Sequence, residues 1–231
     1  MNDKTQKHLD MIDKANRFVA EAAPRVAGDP HRLAYHFMAP ACWMNDPNGF
    51  SYYNGEYHLF YQHYPFNAAP TFSFKYWGHA KSKDLVRWEH LPIALAPSED
   101  YETGGCWSGS AVDDNGKLTL IYTGHVDDRS PKEVQAIAAS EDGVVFHKYE
   151  GNPVIAHPPE DASEDFRDPK VWRHGGHWYM AVGTGKDGIG KVVWYRSDDL
   201  RSWTYLGVLA QSDGTQGHMW ECPDIFRLGD K

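Results

Sequence analysis

Three carboxylates in this chain stand in matching surroundings. Asp46 lies in Asn45-Asp46-Pro47-Asn48-Gly49, Asp168 in Arg167-Asp168-Pro169 and Glu221 in Glu221-Cys222-Pro223-Asp224, while a fourth motif, Trp107-Ser108-Gly109-Ser110, falls between the first two. The successive steps between Asp46, Ser108, Asp168 and Glu221 are 62, 60 and 53 residues. Carboxylates that converge on one bond can divide the work of nucleophile and acid/base, through an oxocarbenium-like transition state, as retaining glycosidases do. A nucleophile must be ionised, and the backbone N–H groups of the tight turn expected at Asn45-Asp46-Pro47, together with Asn45, are placed to favour that form of Asp46. An acid must hold its proton, and Trp220, Cys222 and Pro223 give Glu221 apolar neighbours that favour the protonated form. Asp168, beside Arg167, would stay ionised and steady the cationic transition state. Each motif alone also reads as an ordinary turn, strand end or surface ion pair; their joint recurrence favours a shared site.

Convergence requires a repeat that brings equivalent points together. Each of the first three motifs is followed by a hairpin signal and an apolar strand. Asn54-Gly55 precedes Glu56–Gln62, Asn115-Gly116 precedes Lys117–Thr123, and Gly175-Gly176 precedes His177–Val182. Such dipeptides accept φ > 0 at both central positions of the favoured turn. A third element recurs as Ser82-x-Asp84, Ser140-x-Asp142 and Ser197-x-Asp199, each with an aromatic four residues beyond the Asp: Trp88, Phe146 and Trp203. Units of about 60 residues with roughly four strands are the sequence shape of β-propeller blades; a β-sandwich with coincidental spacing is the alternative. If each motif opens the innermost strand of its blade, Asp46, Asp168 and Glu221 surround one funnel. Three units are complete and the fourth stops after its expected first strand at Ile225–Lys231. That leaves an unpaired edge, so a fragment of a longer protein is expected, ahead of a swapped dimer or a second polypeptide.

Composition narrows the class. The 231 residues are 41% hydrophobic, enough for a sizeable core, and the net charge of −9 without a basic cluster argues against a nucleic-acid partner. No apolar run approaches the length of a membrane span. Residues 1–23 carry Asp3, Lys4, Lys7, Asp10, Asp13 and Lys14, unlike a secretory signal. Met11, Ile12, Ala15, Phe18, Val19 and Ala22 instead mark an amphipathic helix that Pro24 should end. Cys42, Cys106 and Cys222, an odd number, read as reduced thiols of a cytoplasmic protein and as small buried hydrophobes. The histidines show no metal-ligand spacing: His58 and His63 face opposite sides of a strand, and His174 and His177 straddle a turn. No metal or other cofactor is expected. Gly183-Thr-Gly185 and Gly188-Ile-Gly190 read as turns, not as a phosphate loop.

Taken together, Trp43-Met-Asn-Asp-Pro-Asn-Gly49, Trp77-Gly-His79, Trp107-Ser-Gly-Ser110, Phe166-Arg-Asp-Pro-Lys170 and Glu221-Cys-Pro-Asp224 resemble the motif set of glycoside hydrolase family 32, in order, from about Tyr35 to the end. The N-terminal helix, Gln62–Asn67 and Trp77–Val86 are most similar to its bacterial cytoplasmic members. The resemblance implies an all-β fold: a five-bladed β-propeller followed by a β-sandwich. Residues 1–34 would be the helix and lead-in, and residues 35–231 blades one to three with the start of a fourth, the later blades and sandwich being absent. It implies retaining hydrolysis of the β-fructofuranosyl linkage of sucrose, sucrose 6-phosphate or a short fructan. Asp46 would be nucleophile, Asp168 transition-state stabiliser and Glu221 acid/base, with Asn45, Gln62, Phe72, Trp77, Trp107, Ser108 and Arg167 binding substrate. Phe72 departs from the family, which usually carries a Trp five residues before Trp-Gly-His; the aromatic face remains but the indole donor is lost. Lys75, Lys81 and Arg87 are basic residues near the motifs that could meet a phosphate, or simply be solvated. A fructosyltransferase uses the same carboxylates, and an inactive sugar-binding remnant would keep them, so both stay open, as does the oligomeric state.

Overall fold

A computed structural model describes residues 3–69 and 74–229. Each expected hairpin turn puts two consecutive residues in the left-handed region. Values of φ are +49° and +84° at Asn54 and Gly55, +54° and +86° at Asn115 and Gly116, and +56° and +89° at Gly175 and Gly176, conformations that Asn and Gly accept at low cost. The turns join β1 (Trp43–Tyr53) to β2 (Glu56–Tyr64), β5 (Gly105–Asp114) to β6 (Lys117–His125), and β9 (Phe166–His174) to β10 (His177–Lys186). Each pair is extended by two more antiparallel strands: β3 (Tyr76–Ser82) and β4 (Glu89–Leu95), β7 (Glu133–Ser140) and β8 (His147–Lys148), β11 (Ile189–Ser197) and β12 (Thr204–Gln211). The result is three four-stranded sheets in sequence order, with β1 packed on β5 and β5 on β9.

The Ser-x-Asp elements form the turns between third and fourth strands. Asp84 Oδ1 accepts from the backbone N–H of Val86 and Arg87 (2.9 and 2.7 Å), Asp142 Oδ1 from Val144 and Val145 (2.8 and 2.9 Å), and Asp199 Oδ1 from Arg201 and Ser202 (both 2.8 Å). The next residue takes positive φ each time: Leu85 at +63°, Gly143 at +72° and Leu200 at +65°. A leucine in that region is strained. Two of the three repeats accept it because the preceding Asp holds the amides of the following loop.

The core lies between sheet faces. Phe60, Trp77 and Leu95 of the first sheet meet Leu118, Leu120 and Tyr122 of the second. On the opposite face of the second sheet, Ile121 and Ile137 meet Phe166, Val171 and Met180 of the third. Alternate residues of β6 therefore serve two cores, which explains why that strand reads as continuously apolar. Helix α1 (Asp3–Ala27) lays His8, Ile12, Ala15 and Ala22 against the outer edge of the first sheet. Asn16 Oδ1 accepts the N–H of Ile93 on β4 at 3.0 Å, occupying part of an edge that would otherwise be unpaired.

Several expectations are corrected. Pro24 does not end α1, which continues to Ala27; the proline removes the N–H that would bond the Ala20 carbonyl, and only three more helical residues follow it. The segment after Glu221 forms no strand among the described residues, because a ladder needs a neighbour and none is at hand. The first motif is part of strand β1, not a tight turn. Gly183-Thr184-Gly185 lies within β10, although Gly188 does turn at φ +78°. Of the cysteines, all free, Cys106 is buried, Cys42 half-buried and Cys222 exposed. Among the described residues, no helix is long and apolar enough to cross a membrane.

Candidate active site

The innermost strands share a defect at equivalent positions. On β1, Asn45 and Asp46 together stand opposite Gln62, between the pairs Met44–His63 and Pro47–Tyr61. On β5, Ser108 is the extra residue between Trp107–Thr123 and Gly109–Tyr122. On β9, Asp168 and Pro169 together oppose Val182, with Asp168 at φ +62°. A β-bulge breaks strand alternation and re-aims a side chain; here three bulges turn Asp46, Ser108 and Asp168 toward a common cavity. Ser108 Oγ donates to Asp46 Oδ2 at 2.7 Å, so adjacent blades meet through the first carboxylate. Asn48, predominantly buried, takes the Gly109 N–H at 3.4 Å.

Glu221 arrives by another route. Its segment crosses over β10, where Trp220 N donates to Thr184 O at 3.2 Å. A Cβ added to Gly183 would lie 2.3 Å from the Trp220 carbonyl oxygen, and one on Gly185 would lie 2.0 Å from that of His218. The glycines thus admit the segment that delivers Glu221. Cys222, at φ +48°, donates from its backbone N to Asp168 Oδ2 at 2.9 Å and from Sγ to the same oxygen at 3.5 Å.

Arg167 ties the group together. Its Nη1 bonds both oxygens of Glu133 (3.0 and 3.1 Å) and Asp165 Oδ1 (3.2 Å), while Nε and Nη2 each reach Glu221 Oε1 at 2.9 Å. The guanidinium also stands 5.7 Å from the centre of the Trp107 ring. Burial opposes its charge but the Glu133 and Glu221 carboxylates prevail, so its pKa is raised. Trp107 stacks on His125 at 3.7 Å and 11°.

The cavity, about 250 Å³, is lined by Asp46, Asp168 and Glu221 with Asn45, Gln62, Trp107, Ser108 and Arg167. Lys75 also lines it, 5.2 Å from the ring centres of both Trp43 and Trp107. Lys81 instead pairs with Glu56 and Arg87 with Asp84. A second cavity of about 260 Å³ continues beneath, between the inner strands, bordered by Pro47, Gly49, Ser110, Pro169 and Pro223.

Trp77 is not among the lining residues. It is fully buried in the first core, and its indole N–H donates to Trp107 O at 3.0 Å, so it supports the wall from behind. Phe72 lies outside the described residues. Glu221 is not in apolar surroundings: its side chain is 61% exposed and faces Arg167, because sequence neighbours on an extended segment point away from one another. Asp168 is the buried carboxylate, at 7% exposure. Arg167 gives its hydrogen bonds to Glu133, Asp165 and Glu221 rather than to Asp168. Burial raises the Asp168 pKa to about 6, against the Cys222 N–H and the Arg167 charge, which lower it. Glu133 and His125 were not legible as site residues. The signal for Glu133 was a lone acid opening a run, Val134–Ala139, that is apolar but for Gln135.

The Asp168 shift has a sign. Between its ordinary value near 4 and about 6, the folded protein holds a proton that the unfolded chain has released. Stability therefore falls as pH rises through that window, by about 3 kcal/mol from this group. Denaturant midpoints from pH 4 to 7 should show this decline in the parent and a flatter profile in Asp168→Asn; equal slopes in the two would contradict it.

A family model described as glycosyl hydrolases family 32 N-terminal domain matches residues 36–231. The chain is similar to a sucrose-6-phosphate hydrolase of Escherichia coli, 49% identical over 87% of this chain and 42% of the relative. It is also similar to a levanase of Bacillus subtilis, 44% identical over 91% of this chain and 31% of the relative. Among solved structures, a mutant Bombyx mori GH32 beta-fructofuranosidase in complex with sucrose is 46% identical, with a TM-score of 0.85 over 94% of this chain and 46% of that one. The chain spans less than half the length of these relatives.

Proposed function

The chain belongs to glycosyl hydrolase family 32, and from that premise we propose that its site cleaves the β-fructofuranosyl linkage of sucrose or sucrose 6-phosphate with retention of configuration. One observation carries the reading: Asp46, Asp168 and Glu221, from three separate inner segments, line one cavity with Ser108 and Arg167. Asp46 attacks the anomeric C2 of the fructosyl unit. As the C2–oxygen bond to the leaving sugar breaks, an ester to Asp46 forms and Glu221 gives its proton to the departing oxygen. Glu221 then takes a proton from water, whose oxygen bonds C2 and releases fructose from Asp46. Asp168, ionised above about pH 6, sits within reach of the sugar hydroxyls and opposes the developing positive charge. With sugar bound, the Asp46 and Glu221 carboxyls should stand about 5–5.5 Å apart.

The test is fructose release by the purified protein supplied with sucrose and, separately, with sucrose 6-phosphate. Release from either supports hydrolysis. A folded protein that binds sucrose and releases no fructose favours the sugar-binding reading. Product analysis at high sucrose separates hydrolysis from fructosyl transfer.

The preference for a phosphorylated substrate turns on Lys75. It lines the cavity, whereas Arg167 there is engaged by three carboxylates. Lys75→Gln should lower kcat/KM for sucrose 6-phosphate about tenfold more than for sucrose, a difference of about 1.4 kcal/mol. Equal losses on both substrates would remove Lys75 from phosphate recognition.

A further inference from the structure

Glu133 is a fully buried carboxylate on the central sheet, 1% exposed. It does not line the cavity, yet it touches what does. Its two oxygens take Arg167 Nη1 at 3.0 and 3.1 Å, and Oε2 also takes the N–H of Phe166 at 2.5 Å. Oε1 lies 3.3 Å from His125 Nδ1, outside hydrogen-bond geometry, and the His125 ring is the one on which Trp107 stacks. Glu133 and Glu221 thus hold opposite edges of one guanidinium. Two acids sharing a single cation are coupled: charge drawn by one is charge withheld from the other.

We propose that Glu133 is a positioning residue for the acid/base: it anchors Arg167 so that Nε and Nη2 face Glu221, and its charge sets how strongly Glu221 is held as a carboxylate. The inference rests on the reading of Glu221 as acid/base. A buried carboxylate is costly unless paired, and a neutral amide would have given the Phe166 N–H an acceptor equally well. The negative charge is explained by what it does to Arg167. Around Glu133 the charged or titratable groups are Arg167 and Asp165 from β9 and its lead-in, His125 and Asp127 from β6 and the loop after it, and Lys132, which pairs with Asp165 at 3.3 Å. Around Glu221 they are Arg167, Asp168 and Cys222, with Asp46 and Lys75 across the cavity. Neutralising Glu133 leaves Arg167 with one fewer competitor for Glu221, while the other groups keep their charges.

Two variants separate charge from reach. Glu133→Gln should move the titration midpoint of Glu221 to lower pH by about half a unit or more, read from carbon-13-labelled glutamate carboxyls assigned with Glu221→Gln. If the protein hydrolyses sucrose, the alkaline limb of kcat/KM moves the same way, because a general acid must be protonated. Glu133→Asp keeps the charge but not the reach: Arg167 is drawn away from Glu221, so the midpoint moves up rather than down, and kcat/KM falls about tenfold through misplacement of Arg167. A folded Glu133→Gln whose Glu221 midpoint is unmoved or raised overturns the proposal. Should Glu133→Gln not fold, a folded Glu133→Asp with the parent's kcat/KM overturns it instead. A shifted midpoint in a protein that releases no fructose leaves the coupling standing and counts against the proposed reaction. Fructose release with an unmoved midpoint does the reverse.

Discussion

Under the proposed hydrolysis, Asp46→Asn should leave the protein folded and lower fructose release from sucrose by about ten-thousand-fold or more, the scale on which loss of a covalent nucleophile is felt. The expectation follows from where Asp46 stands. It is lifted out of the β1–β2 ladder by a bulge, opposite Gln62, and receives the Ser108 hydroxyl at 2.7 Å. An amide of the same shape can still accept that hydrogen bond through its oxygen, so the seam between the first two blades survives. What it cannot do is bond C2 of the fructosyl unit, and the ester route closes. Circular dichroism and a thermal melt establish that the variant is folded; coupled detection of released fructose gives the rate. A folded variant working at the parent rate would place the nucleophile elsewhere.

Lys148→Met has the largest expected effect on stability. Lys148 donates to Glu102 Oε1, to Ala96 O at 2.6 Å and to Ser98 Oγ at 3.1 Å, with its side chain 8% exposed and that of Glu102 0%. Glu102 also takes the N–H groups of Ser98 and Glu99 (2.9 and 3.1 Å) and the Tyr122 hydroxyl (2.7 Å). This cluster binds β8 to the connection between the first two sheets. Helix α1 joins it through Lys7, whose Nζ donates to Ser98 O at 2.6 Å, and through buried His8, whose desolvation lowers its pKa to about 3 and keeps it neutral. Removing the ammonium leaves a buried carboxylate without its cation, a loss of about 3–5 kcal/mol. Adding Glu102→Gln should recover most of it, since an amide bears burial far better than a charge. Urea denaturation of the parent, the single and the double variant measures both steps. A single variant within about 0.5 kcal/mol of the parent would show that the pair contributes little.

Much of this architecture was legible in the sequence because the repeat is written in turn chemistry. Asn54-Gly55, Asn115-Gly116 and Gly175-Gly176 are conformational requirements, and all six residues meet them. The Asp residues of the Ser-x-Asp elements likewise act locally, on amides two and three residues ahead. Residues whose surroundings come from other strands were harder to read. Glu221 has apolar sequence neighbours yet faces a guanidinium, while Asp168, beside an arginine in sequence, is the one that burial shifts. Trp77 looked like a ligand contact and is a core residue, because strand alternation and sheet stacking decide the side on which it falls. The bulges were invisible as such: an inserted residue is defined by a partner strand that the motif does not contain. Gly183 and Gly185 gave a signal, read as a turn, whose cause is a chain crossing over them.

If the cavity shared by Asp46, Asp168 and Glu221 carries out the proposed displacement, the covalent ester forms on Asp46 and on neither of the other two. Protein mixed with sucrose, quenched in acid within milliseconds, digested and mapped by mass spectrometry should yield a fructosyl ester on the peptide containing Asp46, accumulating further in Glu221→Gln with an activated fructosyl donor. Fructose released while the Asp46 peptide stays unmodified, or an ester found on Asp168 or Glu221, would contradict it.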